Sequence, residues 1–81
     1  MLHFPAVPSQ SELRSQILEI LRTVGQVNGC TFTTILTNIP LPVNIIRRRW
    51  YVSDAIDSLK ADGFTREAFI DGEFRHILKK G

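Results

Sequence analysis

The side chains that most often do chemistry are thinly spread in this chain. Cys30 has no histidine beside it in sequence, and His3 and His76 stand far apart. A nucleophilic cysteine needs a base within hydrogen-bond reach. Here that requires a strand near Cys30 to dock beside the segment carrying His76. A buried structural cysteine fits the same residues without any reactivity. A metal site needs three or four ligands at recognisable spacing, which one cysteine and two scattered histidines do not supply. No glycine-rich phosphate loop occurs. The sequence therefore argues against an enzyme, and neither a metal nor a cofactor is expected.

A different chemistry is suggested by residues 44–54, NIIRRRWYVSD, where three consecutive arginines run into a Trp-Tyr pair. Guanidinium groups bind phosphates and guanine edges, and aromatic rings stack or anchor interfaces. Whether these residues act together depends on the element that carries them.

The 81 residues are read as an extended arm over 1–8 followed by one domain over 9–81. With 43% apolar and 22% charged residues, the composition is that of a globular chain rather than a disordered one. The formal charge of +2 and a pI near 9.1 permit nucleic-acid binding without requiring it. A single cysteine excludes an internal disulfide and fits a reducing compartment. No apolar run approaches the roughly 18–20 residues that span a bilayer. The first ten residues show neither a basic n-region nor a long apolar h-region. The expected address is the cytoplasm, or the nucleus if the source is eukaryotic.

Ser9 and Glu12 have the spacing of a capping box. Leu13, Ile17, Ile20, Leu21 and Val24 then form one helical stripe, and Gly25 offers a left-handed stop. A turn is expected at Asn28-Gly29, with a candidate short strand near Cys30 and Thr31. Thr31 or Thr33 caps a brief second helix bearing Phe32, Ile35, Leu36 and Ile39. Pro40 and Pro42 cannot continue it. A third helix runs from a cap at Asn44 to about Asp62, where Gly63 closes it. Asp71-Gly72 then signals a two-residue hairpin. That turn sets Phe69 opposite Phe74, Glu67 opposite His76 and Thr65 opposite Leu78.

The stretch VSDAIDSLKADGFTRE, residues 52–67, resembles the winged helix-turn-helix superfamily. Val52, Ala55, Ile56 and Leu59 fill the apolar places of its third helix, and Asp62, Gly63 and Phe64 the turn into the first wing strand. The resemblance extends over nearly the whole chain from Ser9. It implies an α+β fold, three helices followed by a C-terminal β-hairpin wing. It also implies a helix that enters the major groove of double-stranded DNA. Two features depart from the pattern. The connection PLPVN, residues 40–44, is longer and richer in proline than a tight helix-turn-helix turn. The third helix also lacks the run of Ser, Asn, Gln and Arg at its start that usually reads base edges.

Placed on a helix at about 100° per residue, the arginines separate. Ile45, Val52, Ile56 and Leu59 make the core stripe, with Ala55 at its margin. Arg48 and Arg49 fall on the two borders, where their stems can cover apolar surface. Arg47 falls on the far side in a row with Trp50 and Asp54, flanked by Ile46, Ser53 and Asp57. Asp54 would repel phosphate there unless it pairs with Arg47 or Trp50 shields it. Trp50 either marks an interface or packs with Ile46 beneath the PLPV segment or the arm. On the hairpin, Arg66 and Arg75 share one face with Ala68 and Ile77, as a wing touching phosphates would. Asp71 and Glu73 at the tip oppose deep insertion in a minor groove.

The candidate DNA contacts are thus Asn44, Arg47, Arg48, Arg49, Tyr51, Arg66, Arg75 and Lys79. The candidate interface residues are Phe4, Ile46 and Trp50. Two functions fit these sites. One is a small DNA-binding transcriptional or replication regulator. The other is a winged-helix interaction module in a larger assembly with no nucleic-acid contact. A homodimer or a protein partner is expected through Trp50 or the N-terminal arm.

Overall fold

A computed structural model describes residues 8–26, 28–39, 41 and 43–79. The expected arm, with Phe4, lies outside these residues except for Pro8. The described chain is α+β in the expected order: α1 (Gln10–Thr23), α2 (Phe32–Thr37), α3 (Ile45–Ala61), β1 (Thr65–Ile70) and β2 (Glu73–Leu78). This is the layout of a small winged helix.

Each helix starts where a short polar side chain can accept from the first free backbone N–H groups. Ser9 Oγ accepts from Glu12 N at 3.2 Å, Thr31 Oγ1 from Thr34 N at 3.3 Å, and Asn44 Oδ1 from Arg47 N at 2.9 Å. The end of α3 is a Schellman turn. Gly63 has φ +80, its N–H donates to Lys60 O at 3.1 Å, and Phe64 N–H donates to Leu59 O at 3.0 Å. The chain is thereby aimed directly into β1. At the other end of that strand, Asp71 (φ 53) and Gly72 (φ 80) make the tight turn. The antiparallel register is the one expected, with Thr65, Glu67 and Phe69 opposite Leu78, His76 and Phe74.

One core holds the elements together. Leu13, Ile17 and Leu21 of α1 meet Ile35 and Leu36 of α2, with Ile39 just beyond it, and Val52, Ala55, Ile56 and Leu59 of α3. Cys30 and Leu41 complete it. Each large aliphatic side chain buried here stabilises the fold by roughly 1.5–3 kcal/mol. The candidate third strand is a single antiparallel bridge. Cys30 N–H donates to His76 O at 3.0 Å, and His76 N–H to Cys30 O at 2.8 Å. The docking of Cys30 against the wing, one of the arrangements open from sequence, is therefore present.

Several local expectations are corrected. Gly25 is not the left-handed stop, for it is absent from the positive-φ residues. Its lack of a side chain serves contact instead, since a Cβ there would lie 2.8 Å from Cys30 Sγ. Val24 is exposed rather than part of the stripe, because α1 ends at Thr23 and the chain turns away toward the bridge. Ile45 is 54% exposed and leaves the core stripe of α3. The apolar cover at that end of the core comes from Leu41 and Val43. Ala55 is fully buried rather than marginal. Glu67 stands opposite His76 as expected, and its carboxylate also pairs with Lys60 Nζ of α3 at 2.7 Å.

Candidate nucleic-acid interface

The geometry separates the three arginines further than helical phase does. Arg48 is half-buried and directed inward along the stripe that Val52 and Ala55 continue. Its Nη2 donates to Leu41 O at 3.4 Å, and its Nε is buried with no hydrogen-bond partner among the described residues. It braces the segment between α2 and α3. Arg49 is exposed, with its guanidinium carbon 5.9 Å from the Phe32 ring centroid. This cation–π contact links α3 to α2 and leaves the N–H groups accessible. Arg47 is exposed on the outer side; its backbone N–H donates to the Asn44 cap, and its guanidinium has no salt bridge among the described residues.

Trp50 is 67% exposed and Ile46 76% exposed. Leu41 and Val43, the described residues of the PLPV segment, leave both uncovered. The Trp50 ring meets Tyr51 edge-on, with centroids 5.4 Å apart. Tyr51 itself is half-buried against the core. An open depression of about 640 Å³ runs beside Trp50, lined by Phe32, Ile46, Arg49, Trp50 and Ser53. Asp54 is exposed and forms no salt bridge with Arg47 among the described residues. Gln10 Nε2 donates to its Oδ2 at 3.0 Å from the start of α1.

On the hairpin, Arg66 and Arg75 share a face, as register requires. Arg66 is exposed, but Arg75 is drawn inward. Its Nη2 pairs with Glu73 Oε2 at 3.0 Å and its Nη1 donates to Gly29 O at 3.5 Å. Lys79 is exposed at the end of the wing, where its backbone N–H closes the hairpin base on Phe64 O at 3.0 Å. On the opposite hairpin face, Phe69 and Phe74 stack edge-on at 5.0 Å, both 65% exposed. Farther along that face His76 is buried, and desolvation holds its imidazole below the ordinary pKa. Burial pushes the Cys30 thiol up, with Arg75 partly opposing it. Cys30 and His76 are joined through their backbones, and a buried, desolvated thiol is a poor nucleophile.

Of the DNA contacts expected from sequence, Arg47, Arg49, Arg66 and Lys79 are exposed cations. Arg48, Arg75, Asn44 and Tyr51 are engaged in holding the fold. The residues missed were Phe32 and Gln10. Phe32 reads as an ordinary apolar position of α2, and nothing local marks Gln10 as a neighbour of Asp54. Among the described residues, no group of His, Cys, Asp and Glu could hold a metal ion, and no helix is long and apolar enough to cross a membrane. Comparison with protein-family models, with curated proteins and with solved structures found no match.

Proposed function

We propose that the protein is a small winged-helix regulator of transcription or replication that binds double-stranded DNA. In this reading α3 enters the major groove, and the hairpin contacts flanking phosphates. The observation that carries it is the pair Arg47 and Arg49. Both are exposed on the outer half of α3, and neither forms a salt bridge among the described residues. Arg66 and Lys79 add exposed cations on the wing. Arg47 serves phosphate or a guanine edge, and Arg49 the backbone. Fluorescence anisotropy of a labelled duplex, followed across a salt series, tests this. Binding must weaken steeply with salt because phosphate contacts release counterions, and a signal at background in low salt sinks the reading.

The second reading is an interaction module that touches no nucleic acid. It is favoured by the exposure of Ile46 and Trp50 and by the inward engagement of Arg48 and Arg75. An exposed tryptophan in an apolar depression is a common interface anchor.

A further inference from the structure

The outer face of α3 is divided by charge about an apolar centre. Arg47 precedes Trp50 by three residues, and Asp54 follows it by four. At about 100° per residue, Arg47 and Asp54 both fall on the same side of Trp50, roughly 60° and 40° round the helix. Two copies of α3 laid face to face and antiparallel are related by a two-fold axis perpendicular to the pair. That operation reverses position along the helix and keeps the side. With the axis beside Trp50, the two Trp50 rings meet at the centre, and each Arg47 faces Asp54 of the second copy. The same operation brings Asp57 opposite the start of the facing α3, the positive end of its macrodipole.

We propose that this face is a self-association surface: two copies of the chain pack α3 against α3, antiparallel, about a two-fold axis at Trp50. The occupant is a second copy because the face is complementary to itself in charge, as an isologous interface must be. Trp50 and Ile46, exposed at 67% and 76%, supply the apolar centre that such contacts need. The Gln10 amide holds one oxygen of the Asp54 carboxylate and limits its motion. A single helix pair is a small contact beside the roughly 800 Å² per partner of a standard interface, so association is expected to be weak and reversible. It buries Arg47 and Trp50, so a second copy and a duplex compete for one surface.

Sedimentation velocity of the full chain without DNA, from about 1 μM to several hundred micromolar, is the test. The weight-average mass is expected to rise from 9.2 kDa toward twice that value. Trp50 is the sole tryptophan, so its emission should shift to the blue and lose quencher access over the same range. Arg47→Asp and Asp54→Arg should each weaken association at least about tenfold, and the double variant should restore it. Circular dichroism of each variant confirms folding. A chain that stays monomeric throughout overturns the proposal. So does association that persists unchanged in Arg47→Asp, which would place the contact elsewhere, or folded single variants that associate weakly without rescue in the double. Because no DNA is present, these outcomes are independent of whether a duplex binds.

Discussion

Salt dependence can distinguish exposed arginines from those the fold has engaged. Counting every arginine and lysine expected from sequence to touch DNA gives Arg47, Arg48, Arg49, Arg66, Arg75 and Lys79. Six phosphate contacts predict a log–log slope of about −5.4, a loss of roughly 1,800-fold in affinity between about 50 and 200 mM salt. The structure withdraws Arg48 to Leu41 O and Arg75 to Glu73 and Gly29 O. The remaining four predict a slope near −3.6 and a loss of roughly 150-fold over the same range. Single variants sharpen the distinction. Arg47→Ala and Arg49→Ala should each flatten the slope by about 0.9. Arg48→Ala should leave the slope unchanged and lower stability by about 1 kcal/mol, less than the roughly 1.5–3 kcal/mol of a hydrogen bond from a charged group because this one is long. In a chain of this length that is a fall of about 4–8 °C in the melting midpoint. Anisotropy titrations at five salt concentrations, with thermal melts of each variant, measure both quantities. A slope near −5.4, or an Arg48→Ala variant that loses slope without losing stability, would refute the assignment of Arg48 to the fold.

Three further outcomes follow from the packing and the caps. Gly25→Ala should destabilise by about 1–3 kcal/mol, because its Cβ would stand 2.8 Å from Cys30 Sγ. Part of that loss should vanish in a Cys30→Ala background, and urea midpoints giving strictly additive effects would contradict the contact. Asn44→Ala should cost about 0.5–2 kcal/mol by freeing the Arg47 N–H, read as a lower urea midpoint, and no change would show that the cap is dispensable. For His76, burial lowers the folded pKa beneath the ordinary 6.5, so the unfolded chain binds the proton more readily. Stability is then full above about pH 6.5 and falls as pH drops from there toward the lowered folded value. The Glu67 carboxylate, held low by Lys60, adds its own loss only beneath its ordinary 4.5. Urea midpoints between pH 7.5 and 5 should therefore decline in the parent and stay flatter in His76→Gln; parallel declines would exclude His76 as the source.

The parts of the fold governed by near neighbours were legible in the sequence. Ser9, Thr31 and Asn44 cap helices because a short acceptor can reach an N–H three residues ahead. Asp71-Gly72 fixed the hairpin register because both residues tolerate positive φ. The errors fell where a distant segment decides. Ile45 has the right phase for the core, but Leu41 and Val43 already cover that end. Gly25 looks like a helix stop, yet its constraint is the approach of Cys30. Arg75 has the alternation of an outward wing residue, but Gly29 brings a carbonyl within its reach. Arg48 and Arg49 read alike on a helical wheel, and only the placement of Leu41 and Phe32 divides them.

The reciprocal bond between Cys30 and His76 also sets an order on folding. It closes a loop of 46 residues within a chain of 81, and the entropy of that closure must be borne before the non-local contact can offset it. All three helices precede β2 in the chain, so the backbone groups of Cys30 have no partner there until His76 has been made. Until β2 arrives, the seam beside Gly25 and Gly29 stays open to water. A chain cut after Gly72 therefore lacks β2 and, with it, both hydrogen bonds that Cys30 makes to His76.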